Sequence, residues 1–230
     1  MMKRCVFVAG GTGYLGRPLI ERLLTRGHEV RALARAGSER RLPVGCQVIA
    51  GNALDPNSYV GEIAPADVFI QLVGVAHPSP AKREQFRQVD RTAGLSAVKA
   101  AIKSGVRHFV YLSVAYPAPV MKAYIEVRAE CEAAIRDRGL NATILRPWYV
   151  LGPGHRWPYL LVPAYWLMGR LPATRDAALR LGLVTLQQMV NALVTSVEMI
   201  DAESKLWACR KSLLLAQFEG CRPVTMHLFN

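Results

Sequence analysis

The chain alternates between short apolar runs and longer segments in which apolar residues recur every three or four positions. The short runs predict buried strands, and the longer segments predict amphipathic helices. We predict strands at residues 5–8, 28–34, 46–50, 66–73, 106–113 and 140–145, and helices at residues 15–24, 82–104, 122–138 and 186–199. Strands that alternate with helices in this way favour an α/β fold, a doubly wound parallel sheet covered by helices on both faces.

A glycine turn joins the first strand to the first helix, with Gly10, Gly13 and Gly16 at the spacing G-x-x-G-x-x-G. The first glycine permits a tight reversal, the second lets a pyrophosphate approach the backbone, and the third lets the helix pack closely on the strand. The N–H groups of the first helical turn would then face the phosphates. The turn therefore predicts a dinucleotide-binding, Rossmann-type fold. The alternative is an ordinary strand–turn–helix in which the glycines serve packing only.

The end of the second predicted strand bears on the choice of dinucleotide. Sites selective for NAD carry an acid there for the ribose 2′-hydroxyl, whereas NADP sites carry an arginine for the 2′-phosphate. This chain has Ala34 and Arg35 at that point, with Arg31, Arg40 and Arg41 nearby in sequence. Because a guanidinium group suits phosphate, we expect NADP(H) to be preferred over NAD(H). The alternative is that Arg35 is an ordinary surface residue.

The length of 230 residues suits one globular unit. We assign residues 1–154 to dinucleotide binding and residues 155–230 to a small C-terminal cap with closing helices, divergent from about residue 201. The aromatic segment 157–168 would form a substrate lid, a peripheral membrane contact or a helix packed over the sheet. The apolar stretch 159–169 is too short to span a bilayer.

The formal net charge of +12 admits three partners: nucleic acid, an anionic membrane surface or a phosphorylated cofactor. The alternative is a solvated basic surface without such a partner. We do not expect nucleic acid, since that partner rests on net charge alone. Five cysteines without a C-x-x-C motif, and no evident signal peptide, indicate reduced thiols and a cytoplasmic protein. The five histidines show no metal-ligand spacing, so we expect no metal site, and the lack of G-x-S-x-G argues against a hydrolase.

Five stretches carry a resemblance to a known family: GGTGYLGR at 10–17, VRALAR at 30–35, VRHFVYLS at 106–113, LRPWYVLGPG at 145–154 and GLVTLQQMVNALV at 182–194. The chain resembles the atypical, extended-type short-chain dehydrogenases/reductases. Within them it is similar to the NAD(P)H-binding, epimerase-like proteins related to the nucleotide-binding accessory subunit of respiratory complex I. The resemblance runs from the first predicted strand to about residue 200.

The resemblance implies a complete set of cofactor-binding residues. The pyrophosphate would lie on the glycine turn, the 2′-phosphate at the end of the second strand, the adenine after the third, the ribose after the fourth and the nicotinamide after the sixth. In that order the residues are Gly10, Thr12, Gly13, Tyr14, Leu15 and Gly16; Arg35; Asn52 and Ala53; Leu72, Val73 and Gly74; and Pro147, Trp148, Tyr149 and Val150.

The resemblance also implies catalytic residues. Active family members use a tyrosine as the acid or base and a lysine four positions later on the same helix face. The matching residues here are Tyr124 and Arg128, so an arginine replaces the lysine, and Ser113 is the candidate catalytic hydroxyl. Many members place that hydroxyl slightly later, where this chain has Val114 and Ala115. Tyr124 would otherwise be a half-buried helix residue.

These features imply an NADP(H)-binding oxidoreductase or epimerase-like enzyme that acts on a small molecule of unknown identity. The arginine in place of lysine leaves an alternative, a non-catalytic NAD(P)H-binding module for redox sensing or assembly, with or without a membrane. Family members often pair through the helices predicted at 82–104 and 122–138, which implies a homodimer. We expect Glu126, Glu130 and Glu132 on the second of these helices to be solvated charges with arginine partners.

Overall fold

A parallel sheet forms the centre of the protein in a computed structural model that describes residues 2–117, 120–153 and 183–200 and the backbone of residues 226–229. All six predicted strands are present, with ends within two residues of those expected. They are β1 (Cys5–Ala9), β2 (Glu29–Ala34), β3 (Gln47–Ala50), β4 (Val68–Gln71), β5 (His108–Leu112) and β6 (Ala142–Leu145).

The strands are arranged in the order β3-β2-β1-β4-β5-β6, and neighbouring strands in this series run parallel. In register, Phe7 of β1 lies opposite Arg31 of β2 on one side and Phe69 of β4 on the other. The direction of winding reverses between β1 and β4, and open α/β sheets bind ligands at the carboxyl ends of the strands beside such a reversal. The predicted doubly wound fold is confirmed.

Helices cover both faces of this sheet. The described α-helices are α1 (Gly16–Thr25), α2 (Arg83–Gln85), α3 (Thr92–Ser104), α4 (Lys122–Asp137) and α5 (Leu186–Glu198). Val6 and Val8 pack on the face covered by α1 and α5, whereas Phe7 and Ala9 pack on the face covered by α3 and α4. The near-continuous apolar strands are thereby explained, because nearly all positions of β1, β4, β5 and β6 are buried.

The segment predicted as one helix at 82–104 contains a wider turn. A π-helix, Phe86–Arg91, separates α2 from α3. π-Helical turns are rare in proteins overall, but many of those that occur lie at functional sites. Asp90, in this π-helix, is fully buried.

Further strands lie beyond β6, where the residue pattern predicts none. β7 (Tyr149–Leu151) and β8 (Leu183–Thr185) form a separate parallel pair, and β9 (Met226–Phe229) pairs antiparallel with β6. Thr185 caps α5, in a reciprocal capping box with Gln188. The predicted cap lies mainly outside the described residues, as does the aromatic segment 157–168. Within the described ranges, no helix combines the length and apolar character that crossing a bilayer requires.

The turn between β1 and α1 is packed so closely that there is no space for a side chain at Gly10 or Gly16. Gly10 has a φ of +93°, and a Cβ atom there would lie 2.9 Å from the carbonyl carbon of Leu72 and from the nitrogen of Val73. A Cβ atom at Gly16 would overlap the carbonyl oxygen of Gly10 and lie 2.6 Å from the Cα of Gly11. The first and third glycines therefore perform the packing roles expected of them.

We predict that Gly16→Ala lowers the free energy of unfolding by about 2 kcal/mol or more, because the atoms that the new methyl group meets belong to the backbone. Urea denaturation provides the measurement. Gly61→Ala is the matched control, since a Cβ atom there has no neighbour within 4 Å, and we expect a change within about 0.5 kcal/mol. Equal effects of the two substitutions would contradict the packing described for the turn.

Candidate functional site

The carboxyl ends of the strands bring the predicted cofactor residues into one row. Along the edge, Asn52 follows β3, Arg35 follows β2, Gly10 follows β1, Leu72 follows β4 and Pro147 follows β6. Six strands at the usual spacing of about 4.8 Å make this edge about 24 Å long. The row runs in the order that the resemblance implies, from the adenine end to the nicotinamide end.

The glycine turn fits a phosphate group. Within the described part of the chain, no side chain caps the N-terminus of α1, and its first turn contains no acidic residue. Its positive end is therefore left for an anion. Gly13 is exposed, and an added Cβ atom there would meet only the carbonyl oxygen of Gly10, at 3.2 Å. Space for a ligand therefore remains at the glycine where the pattern predicts it.

The remaining turn residues flank this space. Thr12 is half-buried, and Leu15 packs against the core cluster on the α1 face. Tyr14 is 36% exposed, and its hydroxyl lies so close to Gly152 that a Cβ atom on that glycine would overlap it. Tyr14 thus links the turn to the chain that follows β7.

The adenine end of the row carries free basic groups. Arg35 is exposed directly after β2, and Arg40 and Arg41 are exposed on a short 3₁₀-helix. In the part of the chain that the structure describes, none of these three has an ion-pair partner. Arg31 does not join them, because its guanidinium group pairs with Glu62.

Asn52 and Ala53 lie where an adenine would be expected. The Oδ1 atom of Asn52 accepts a hydrogen bond from the N–H of Leu54 at 3.1 Å, which leaves the exposed amide NH₂ as a donor. Ala53 is half-buried and packs against the core on the α3 face. The pair offers one polar group and one apolar surface.

The nicotinamide end is built from the chain after β6. Pro147 is buried, and its carbonyl oxygen accepts a hydrogen bond from the N–H of Ala115 at 3.1 Å. Trp148, Tyr149 and Val150 are half-buried and lead into β7. The exits of β5 and β6 are therefore joined at this end of the row.

Arg128 lies in an ion pair rather than at the surface of the site. Its side chain is 5% exposed, its Nη2 is 2.5 Å from Oδ1 of Asp90, and its Nη1 donates to the carbonyl oxygen of Leu112 at 2.8 Å. Burial raises the pKa of Asp90, an effect opposed by the charge of Arg128 and by a hydrogen bond from the N–H of Val75. The arginine charge is compensated within the protein.

Tyr124 lies next to this ion pair. Its ring centroid is 5.0 Å from the guanidinium carbon of Arg128 and 4.9 Å from the ring centroid of Phe86. The ring is half-buried, and no group among the described residues hydrogen-bonds to its hydroxyl. The structure thus brings Tyr124 and Arg128 together as their spacing predicts, and the hydroxyl is available to a ligand.

Ser113 belongs to a second buried cluster. Its hydroxyl donates to Oε1 of Glu132 at 2.5 Å, and Glu132 also accepts hydrogen bonds from Tyr116 at 2.9 Å and from Nε of Arg146 at 2.9 Å. The proton of Ser113 is therefore held by a carboxylate. Its assignment as a catalytic hydroxyl stays a prediction, and the two residues that follow it, both buried, carry no hydroxyl.

The expectation that Glu132 is a solvated helix charge is wrong. Glu132 is fully buried because it lies on the face of α4 that also buries Cys131 and Ile135. Burial by itself would raise the pKa of Glu132, but the hydrogen bonds from Arg146 and Ser113 outweigh burial and lower the pKa below its ordinary 4.5. Glu130, by contrast, forms the expected exposed ion pair, with Arg91 at 2.6 Å.

Sequence reasoning missed Asp90, which anchors the buried arginine. The available signal was charge pairing: an acid lies inside an apolar helix pattern, and an arginine replaces the lysine of the motif in a later helix. Buried charges are almost always paired, so each of these residues indicates the other.

A sequence model of a family described as NAD(P)H-binding matches residues 10–156 of this chain. The match starts at the glycine turn, directly after β1, and covers β2 to β6. The chain belongs to this NAD(P)H-binding family. This match bears out the resemblance to the atypical short-chain dehydrogenases/reductases. The link to the complex I subunit stays a prediction.

Several proteins of known activity are similar to this chain. A 3-diazoavenalumate denitrifying reductase from Streptomyces is 29% identical over 84% of the chain, and the chain spans 72% of that protein. A ceramide reductase from Caulobacter vibrioides is 30% identical over 65% of the chain, and the photosystem II assembly factor Ycf39 from Synechocystis is 29% identical over 61%. The chain spans less than half the length of these last two, 47% and 43%.

Solved structures share the fold. The enzyme WbmH from Bordetella bronchiseptica, in complex with NAD⁺, has a TM-score of 0.65 and 18% identity over 86% of this chain and 73% of its own. A UDP-glucose 4-epimerase from Thermotoga maritima, with UDP-glucose, has a TM-score of 0.61 and 18% identity over 84% and 73%. At such identities these likenesses concern the fold alone.

We predict that Glu132→Gln lowers the free energy of unfolding at neutral pH by roughly 3 kcal/mol, because Arg146 keeps a buried charge without its counter-charge. Since the pKa of Glu132 is lowered on folding, its contribution is present above the ordinary value of 4.5 and is lost as the pH falls below it. The wild type should therefore lose stability below that pH more steeply than the variant.

Urea denaturation between neutral and acidic pH measures both effects. The control is Glu130→Gln, which removes the same charge from an exposed pair on the same helix and should change stability by less than about 1 kcal/mol. A Glu132→Gln protein as stable as this control would refute the role of the buried cluster.

Proposed function

We propose that this protein is an NADP(H)-dependent reductase of a small organic molecule. The observation that carries the proposal is Arg35 at the exit of β2, which has no ion-pair partner among the described residues. It lies in one row with the N-terminus of α1, which no described side chain caps. A permanently charged fork at this position suits a phosphate on the adenosine ribose, and no acid is present there to favour NAD(H).

The residues present fit the dinucleotide at each point of the row. The glycine turn leaves an open, positively polarised backbone for a pyrophosphate, and Gly13 presents it without a side chain. Arg40 and Arg41 add charge beside Arg35. Pro147 and its successors would border the nicotinamide. When bound, the dinucleotide supplies a hydride equivalent at the nicotinamide ring.

Tyr124 is the residue that would hold the transferred proton. Its hydroxyl is not bonded to any other described residue, and its ring is fixed between Phe86 and Arg128. Ser113 would instead organise the floor of the site through Glu132. General acid catalysis by one such positioned group accounts for about 10²- to 10⁴-fold in rate.

The names of the relatives support a reductase. Two of those described above are reductases, of a diazo compound and of ceramide. Their substrates differ widely, so we propose the reaction class and no individual substrate.

A non-catalytic module is the weaker proposal. It rests on two observations. The side chains of Arg128 and Ser113 form buried contacts within the protein, and one of the relatives, Ycf39, is named as an assembly factor. Homodimerisation, a cytoplasmic location and a membrane contact by residues 157–168 also stay proposals.

The cofactor preference can be measured by fluorescence titration of NADPH and NADH. We predict that NADPH binds more tightly, and that Arg35→Ala weakens NADPH about 10- to 100-fold through the loss of a charge-assisted hydrogen bond. The affinity for NADH should change by less than about twofold, because NADH lacks the 2′-phosphate.

The control for this titration is Arg138→Ala, which removes an exposed arginine at the C-terminal end of α4. It should leave both affinities unchanged. Equal losses for NADPH and NADH in Arg35→Ala, or no binding of either by the wild type, would refute the proposed cofactor assignment.

With any substrate that oxidises NADPH, Tyr124→Phe should lower kcat at least about 100-fold, because the variant lacks the proton donor. The phenylalanine ring keeps the contacts with Phe86 and Arg128. We therefore expect the affinity for NADPH and the melting temperature to stay close to those of the wild type. Steady-state kinetics at 340 nm measure the rate, and an unchanged kcat would exclude Tyr124 as the acid.

A further inference from the structure

The Arg128–Asp90 ion pair lies directly beneath the backbone of Gly74. A Cβ atom on Gly74 would lie 2.5 Å from Nη2 of Arg128 and 2.7 Å from Oδ1 of Asp90. The φ of Gly74 is outside the left-handed region, so its backbone does not require a glycine. A glycine is required there because the ion pair occupies the space that a side chain would fill.

The same ion pair joins four segments of the chain. Asp90 comes from the π-helix and accepts the N–H of Val75, at the exit of β4, at 3.0 Å. Arg128 comes from α4 and donates to the carbonyl oxygen of Leu112, at the end of β5, at 2.8 Å and to the hydroxyl of Tyr111 at 3.4 Å. The exits of β4 and β5 are thereby held at a fixed spacing.

The position of Arg128 differs from what the motif implies for a lysine at the same place. Both terminal nitrogens are engaged inside the protein, and the remaining Nε is buried. A side chain held in this way lies against the Gly74 backbone and inside the protein, where it is 5% exposed, and not at the surface where a ribose would bind. Its positive charge is offset by the adjacent Asp90 carboxylate.

We propose that Asp90 and Arg128 are positioning residues for the nicotinamide half of the cofactor site. They fix the position of the Gly74–Val75 backbone and the position of the Tyr124 ring. They do not contact the cofactor themselves. The inference rests on the proposed function in one respect, that the exit of β4 borders the ribose of the nicotinamide half.

This role predicts a difference between the two halves of the dinucleotide. The binding of NADPH would depend on the glycine turn, Arg35 and the β4 exit. The fragment 2′,5′-ADP carries only the adenosine half with its 2′-phosphate, so its binding would depend on the glycine turn and Arg35 alone. A side chain that mattered only for general stability would affect both ligands or neither.

The test is calorimetric titration of NADPH and of 2′,5′-ADP against the double variant Asp90→Asn/Arg128→Gln. Both charges are removed together, which avoids a lone buried charge and its large penalty. We expect NADPH to bind about 10-fold more weakly or worse, because the preorganised backbone is lost. The affinity for 2′,5′-ADP should stay within about twofold of the wild type.

Gly74→Ala provides an independent variant if the double variant does not fold. Its methyl group would point at the ion pair and displace it while leaving both charges present, so it should give the same selective loss. The matched control is Glu130→Gln, which breaks the exposed ion pair with Arg91 between the same two helical segments. That variant should leave both affinities unchanged.

Each outcome has one meaning. A selective loss of NADPH affinity supports the positioning role, whereas equal losses for the two ligands, or no change in either, overturn it. A wild-type protein that binds 2′,5′-ADP and NADPH equally well would also overturn it, since the β4 exit would then contribute nothing. Failure of the wild type to bind either ligand would instead overturn the proposed function.

Discussion

The close approach of the glycine turn to its neighbours is the constraint on which the candidate site depends. Gly10 brings the end of β1 against Leu72 and Val73, and Gly16 brings the start of α1 against the backbone of the turn itself. These contacts fix the N-terminus of α1 at the point where the sheet changes its direction of winding. A helix end that no side chain caps is then presented to the crevice beside β4.

Two buried ion pairs support the carboxyl edge from below. Arg128 with Asp90 ties the exits of β4 and β5, and Arg146 with Glu132 ties α4 to the chain that leaves β6. Buried charges cost desolvation free energy. The hydrogen bonds of Asp90 and Arg128 to the backbone of Val75 and Leu112 fix the exits of β4 and β5. The basic groups at this edge that have no ion-pair partner among the described residues, Arg35 above all, are exposed to solvent.

The sequence predicted the fold well because its signals were local. Apolar runs marked the strands, and the glycine spacing marked the turn at Gly10. The π-helix and the burial of Glu132 could not be predicted in this way, since both depend on partners distant in sequence. The buried charge of Glu132 is stabilised because Arg146 and Ser113 bind it, and that of Asp90 because Arg128 does. The position of a charged residue on a helix does not by itself reveal such a distant partner.

The central claim is that a dinucleotide lies along the carboxyl edge of the sheet, from the exit of β2 to the exit of β6. Hydrogen–deuterium exchange of the backbone amides with and without NADPH tests its location directly. We expect slower exchange in peptides that cover residues 10–17, 35–41 and 72–75, and unchanged exchange around residues 26–29 at the opposite edge. Protection confined to other segments, with these three unchanged, would contradict the account.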